Sequence, residues 1–170
     1  MRKYFISLSI LAVAALAACT KGGKLEPLTG ATYAVTSLLD GSKLNPATAN
    51  DTTKASLTGW YDEQTNGFTF TLAYRKDTTV IKLDTLTGVV FFRNTPVAGA
   101  IPAKTVPVTV IVNAVSKANI SGSFNRGLSG YQGIDTADIQ SFINNQWYIV
   151  LTSRRFPEGV AGGQVMLSKN

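Results

Sequence analysis

Apolar and polar residues alternate through most of the chain after residue 30. Phe68, Phe70, Leu72 and Tyr74 alternate with Thr69, Thr71 and Ala73, the period of a half-buried strand. A preceding strand from Ala55 holds Leu57 and Trp60, and Asn66-Gly67 between the two is a hairpin signal, because both residues tolerate positive φ. Ala31–Leu39 reads as a first strand, and Asp40–Lys54, "DGSKLNPATANDTTK", as a polar, turn-rich loop. Further β-like runs follow at Val80–Leu83, Val89–Arg93, Val106–Asn113, Ile120–Phe124, Trp147–Thr152 and Gly163–Leu167. Val106, Val108, Val110 and Val112 share one face, and Pro107 cannot donate to a ladder, so that strand is expected at a sheet edge.

One segment breaks the period. In "DTADIQSFINNQ", Asp135–Gln146, Ile139, Phe142 and Ile143 stand at helical spacing. Asp135 or Thr136 can cap it, and Asp138 sits in its first turn, near the positive end of the helix dipole. Many short strands with turns between them and one short helix near the C-terminus predict an all-β fold, an antiparallel immunoglobulin-like or superoxide-dismutase-like β-sandwich.

The first residues follow a different rule. Arg2 and Lys3 precede the uncharged apolar run Phe5–Ala18, which is shorter than the roughly 20 residues needed to span a bilayer. A positive start, a short apolar run and small residues before a cut site describe a removable secretory signal. Leu16-Ala17-Ala18-Cys19 resembles the bacterial lipobox, in which the cysteine thiol accepts diacylglycerol and becomes the new N-terminus. Residues 1–18 are therefore expected to be a lipoprotein signal peptide, and 19–30 a lipidated Cys19 followed by a glycine-rich tether. Residues 31–170 are expected to be the folded domain. Two or three acyl chains, at about 0.8 kcal/mol per buried CH₂, give a stable membrane anchor. The alternative is a secreted protein whose signal happens to hold a cysteine. Thr20 stands where an aspartate would retain a lipoprotein in the inner membrane, which points to the outer membrane. "KGG" after it lacks the acidic run linked to surface export.

Composition narrows the chemistry. Cys19 is the only cysteine among 170 residues, so the mature chain has no disulfide and depends on burial. There is no histidine, which removes the commonest general base and metal ligand. Zinc and copper sites, Ser-His-Asp and Cys-His nucleophiles are excluded with it. The chain has no Ser-x-x-Lys, no phosphate-binding Gly-Lys-Ser/Thr loop and no calcium loop of spaced aspartates. No enzyme activity, metal or cofactor is expected. Without Arg2 and Lys3, 14 of the 16 basic residues remain against 10 acids. They are scattered rather than run together, so no nucleic-acid partner is expected.

The closing segment Phe142–Ser168 resembles the end of the CHRD domain, a family named after chordin that also occurs in bacterial envelope proteins. Tyr148, Phe156, Pro157, Gly159, Gly163, Gln164 and Val165 fall in step with its pattern. "ASLTGWYDEQTNGFTFTLAY" looks like the family's opening hairpin, and "TLTGVVFFRNTPVAG" stands where its central strand and loop would be. The likeness runs from about 55 to 168 and implies a β-sandwich. The family's typical His-x-His pair on the central strand is here within Val89-Val90-Phe91-Phe92. Thr152 replaces a later histidine, and Val160 and Gly162 replace a Glu and an Arg.

Three sets of candidate residues follow. In the turn Ser153–Gly163, Arg154 and Arg155 can grip a carboxylate or sulfate beside Phe156, or the turn can simply pack on Phe156 with its arginines solvated. Trp60, Tyr61, Trp147 and Tyr148 can stack on sugars or enter the core; of each adjacent pair, one ring is expected to meet solvent or a covering loop. Asp-Thr occurs four times, and Thr52, Thr78 and Thr85 resemble bacterial O-glycosylation acceptors, although Asp-Thr is also ordinary turn and capping chemistry. The expectation is a lipid-anchored, non-catalytic domain that binds an envelope protein or glycan; the alternative is a structural spacer. The ligand, the membrane face and the oligomeric state stay open at this level.

Overall fold

The computed structural model describes residues 30–44, 53–76, 83–112, 117–124 and 133–170. Among them are nine strands: β1 Thr32–Asp40, β2 Thr53–Asp62, β3 Gly67–Lys76, β4 Asp84–Phe92, β5 Lys104–Val112, β6 Lys117–Phe124, β7 Tyr148–Ser153, β8 Ala161–Gln164 and β9 Met166–Lys169. The hydrogen-bonded order is β5-β4-β7-β8-β1-β2-β3-β6, with β9 also on β1, and every pairing is antiparallel. The sheet folds over on itself at the β8–β1 step. Phe91 of β4 then meets Phe68 and Phe70 of β3 and Phe124 of β6, at 5.8, 5.4 and 5.5 Å between ring centroids. Those rings, with Val35, Leu57, Leu72, Leu86, Val89, Ile149 and Leu151, form the core of an antiparallel β-sandwich.

The alternation places the strands as expected. On β3, Phe68, Phe70, Leu72 and Tyr74 are buried, and Thr69, Thr71 and Ala73 are exposed. Among the described residues β5 pairs with β4 alone, so Pro107 lies on an edge strand. Two expectations need correction. Val89–Arg93 is the second half of a longer strand, β4, whose first half is interrupted by a register shift between Leu86 and Gly88; of Val80–Leu83, only Leu83 is described, and it lies before that strand. Gly163–Leu167 is two strands, broken at the buried Val165. Asn66-Gly67 does mark the β2–β3 hairpin: the chain reverses over residues 63–66, Asn66 takes a positive φ of 49°, and Gly67 opens β3 opposite Asp62.

The helical spacing places the short helix correctly, with Ile139, Phe142 and Ile143 all within it. A single 3-10 turn, Thr136–Asp138, leads into α1, Ile139–Ile143. Neither Asp135 nor Asp138 caps through its side chain. Asp138 instead accepts two hydrogen bonds from Arg93, at 2.5 and 2.8 Å, and Asp135 pairs with Lys104 at 3.6 Å. Phe142 of α1 closes this end of the sandwich against Tyr61, Phe68 and Trp147, 5.2, 5.2 and 5.0 Å away.

Candidate functional site

The arginine turn joins β7 to β8, and its backbone is clamped on β4. The Arg154 amide donates to the Thr85 carbonyl at 2.9 Å, and the Arg155 amide to Asp84 Oδ1 at 3.3 Å. The Phe156 amide donates to Ser153 Oγ at 3.1 Å, and the Phe156 carbonyl accepts from the amides of Ser153 and Gly159. Phe156 is half-buried against the core, and the Arg155 guanidinium lies 5.5 Å from its ring centroid, within cation–π range. The two arginine side chains are exposed at the same end of the sandwich as Lys43, Lys54 and Lys117. Asp84, buried, serves this turn and the Thr85 amide, so the Asp84-Thr85 pair is built into a strand, with Thr85 half-buried opposite Ile111. Thr52, Thr78 and Cys19 lie outside the described residues.

The positions that depart from the CHRD pattern are structural here. Val89 and Phe91 are fully buried. Thr152 donates to the Gly88 carbonyl at 3.2 Å and stands 3.1 Å from the Thr87 hydroxyl. On the outer face of β4 and β7, Tyr148, Val150 and Phe92 gather under Leu44, and the Tyr148 hydroxyl donates to the Lys43 carbonyl. Leu44 fits because residues 159 and 162 lack side chains. A Cβ on residue 162 would fall 2.7 Å from Leu44 Cδ2 and 2.8 Å from the Tyr148 ring. Among the described residues no three of His, Cys, Asp and Glu come together.

The aromatic pairs divide as steric alternation demands. Tyr61 is buried while Trp60 is 61% exposed; Trp147 enters the core, and Tyr148 lies under the covering Gly41–Leu44 segment. Burial, followed by the charges of Glu63 and Asp62 and the neighbouring Tyr33, pushes the Tyr61 hydroxyl up to about 12.

Trp60 borders a groove that sequence reasoning missed. Strand register aligns Thr36, Thr58, Thr71 and Ser121 in one row across β1, β2, β3 and β6. The next row holds Ala34, Trp60, Thr69 and Ser123. These side chains and Pro107 of β5 line a cavity of about 900 Å³ with no charged residue in its wall. The Thr71 and Ser121 hydroxyls lie 3.2 Å apart. On the side of the Thr36 row away from Trp60, two rows along the strands, the register sets Asp40, Lys54, Arg75 and Lys117 side by side. The sequence signal was a hydroxyl at every second position on three separate strands. Its meaning depends on register, which no single segment reveals.

No family model, curated protein or solved structure matches the chain. Fold, register and the groove's own chemistry are therefore what a functional reading rests on.

Proposed function

We propose that this chain is an outer-membrane-anchored bacterial lipoprotein whose non-catalytic, CHRD-like domain binds a glycan of the cell envelope in the Trp60 groove. The observation that carries the reading is the groove's wall. It pairs one exposed indole with six hydroxyls, four of them in a single row, and no charge. A sugar ring offers an apolar C–H face for stacking and hydroxyls that both donate and accept, and Ser and Thr side chains match that dual capacity. A groove on strands is also held rigid, which limits the ordering cost of binding. The lipobox at Cys19 supports the anchor, and the lack of histidine and of a free thiol supports a role without catalysis.

The test is isothermal titration of purified envelope polysaccharide against the full mature lipoprotein in detergent, with Trp60→Ala as the comparison. Losing a stacking anchor costs on the order of 2 kcal/mol, or about 30-fold in affinity. Equal affinity for both proteins removes the groove as the site. No binding by either leaves the spacer reading in its place.

A further inference from the structure

We infer that the loop between β4 and β5, residues 94–103, inserts apolar side chains into the lipid surface to which the chain is anchored. "NTPVAGAIPA" carries no charge, and Val97 and Ile101 are 63% and 83% exposed. The loop is shaped rather than slack. The Ala100 amide donates to the Val97 carbonyl at 2.9 Å around Gly99, whose φ of 77° only glycine adopts without strain. Pro96 and Pro102 flank this turn and stiffen both arms.

The position of the loop is what selects lipid as its occupant. Residue 30, where the described chain begins, lies against Gln64, and the Ala31 amide donates to Glu63 Oε2. The 63–66 turn reaches Ile134 through Asn66 Nδ2, and the next residues hold both feet of the loop, Asp138 on Arg93 and Asp135 on Lys104. The loop and the start of the domain therefore share one end of the sandwich. Ten residues lie between Cys19 and residue 30, a reach of at most about 40 Å. β1, nine residues long, spans about 30 Å towards the opposite end. The end with the exposed valine and isoleucine is the one where the tether to Cys19 attaches. The cations at its base are each paired with a carboxylate, which lowers the cost of bringing them to the interface.

The inference rests on lipidation of Cys19, so the experiment reads the two separately. Ile101→Cys, Val97→Cys and Leu38→Cys proteins, full-length and acylated, are labelled with an environment-sensitive fluorophore; the native thiol is blocked by its lipid. Leu38 is 71% exposed, towards the other end of β1. The proteins are reconstituted into phosphatidylethanolamine–phosphatidylglycerol vesicles with and without doxyl-labelled lipid. The expected result is a blue shift and doxyl quenching at 97 and 101, and neither at 38. Equal signals at 101 and 38, in protein whose mass carries the acyl chains, overturn the insertion and leave the anchor standing. A blue shift that grows only with the protein-to-lipid ratio assigns the loop to a second copy and overturns it too. Native protein without acyl mass overturns both.

Discussion

The link between Arg93 and Asp138 offers a measurable asymmetry. Asp138 is almost completely buried, whereas the Arg93 side chain is 48% exposed, and the two make a forked pair at 2.5 and 2.8 Å. Arg93→Met strands a carboxylate in the protein interior. Breaking a buried pair in this way costs 3–5 kcal/mol, and the exposed guanidinium places this case near about 3. Asp138→Asn strands only a half-solvated cation and keeps one acceptor, so its cost is about 1–2 kcal/mol. Urea unfolding followed by the fluorescence of Trp147, buried against Phe142 and Phe91, gives both numbers. The expected outcome is a larger loss for Arg93→Met than for Asp138→Asn, and a double mutant well short of additive. Equal losses, or additive ones, would refute the account of Asp138 as a buried group held by Arg93.

Two other outcomes follow from the packing and the buried phenol. Leu44→Ala removes the cover over Tyr148 and Val150 and should cost about 2 kcal/mol in thermal or urea unfolding; Gly162→Ala should also destabilise, but by less in the Leu44→Ala background, because the clash with Leu44 Cδ2 has gone. The folded Tyr61 pKa lies near 12 against an ordinary 10.0, so its contribution is complete below pH 10 and is lost as the pH climbs from 10 to 12. Ultraviolet difference titration should register a late-ionising phenol that Tyr61→Phe abolishes, with alkaline unfolding over the same range.

Where side chains alternate and pack one sheet face, the sequence was readable, as on β3 and β5. It failed where backbone rather than side chains sets the structure. "DTLTGVVFF" conceals a single strand because the shift between Leu86 and Gly88 turns Thr87 and Gly88 both towards Thr152 on the outer face, and the period is lost. β8, "AGGQ", offers almost no apolar signal: its glycines admit Leu44 and the Leu38 carbonyl at close quarters. The short helix was legible from Ile139, Phe142 and Ile143, but its capping was not: Asp138 is engaged by Arg93, 45 positions away, instead of by the helix end. Of the candidate site, Trp60 and the arginine turn were visible as residue types. The groove was not, since its rows exist only after β1, β2, β3 and β6 are laid side by side.

The acids explain how a chain of modest basic excess presents its charge. Six of the seven acids among the described residues are engaged as acceptors. Asp40 takes the Ser42 amide and hydroxyl, bonds that hold its carboxyl below the usual range. Asp62 takes the amides of Gln64 and Thr65, and Glu63 takes the Ala31 amide and the Tyr33 hydroxyl. Asp84 holds the arginine turn, while Asp135 and Asp138 secure the feet of the β4–β5 loop. The carboxylates thus fasten turns, mostly at the end where the domain begins. The cations Lys43, Lys54, Lys117, Arg154 and Arg155 collect at the other end, with Glu158 as a nearby acid. An acidic glycan lying in the groove with its charged groups towards Lys54 and Lys117 would meet both kinds of surface at once. Its affinity would then fall with added salt, while that of a neutral glycan held by Trp60 and the hydroxyl rows would not.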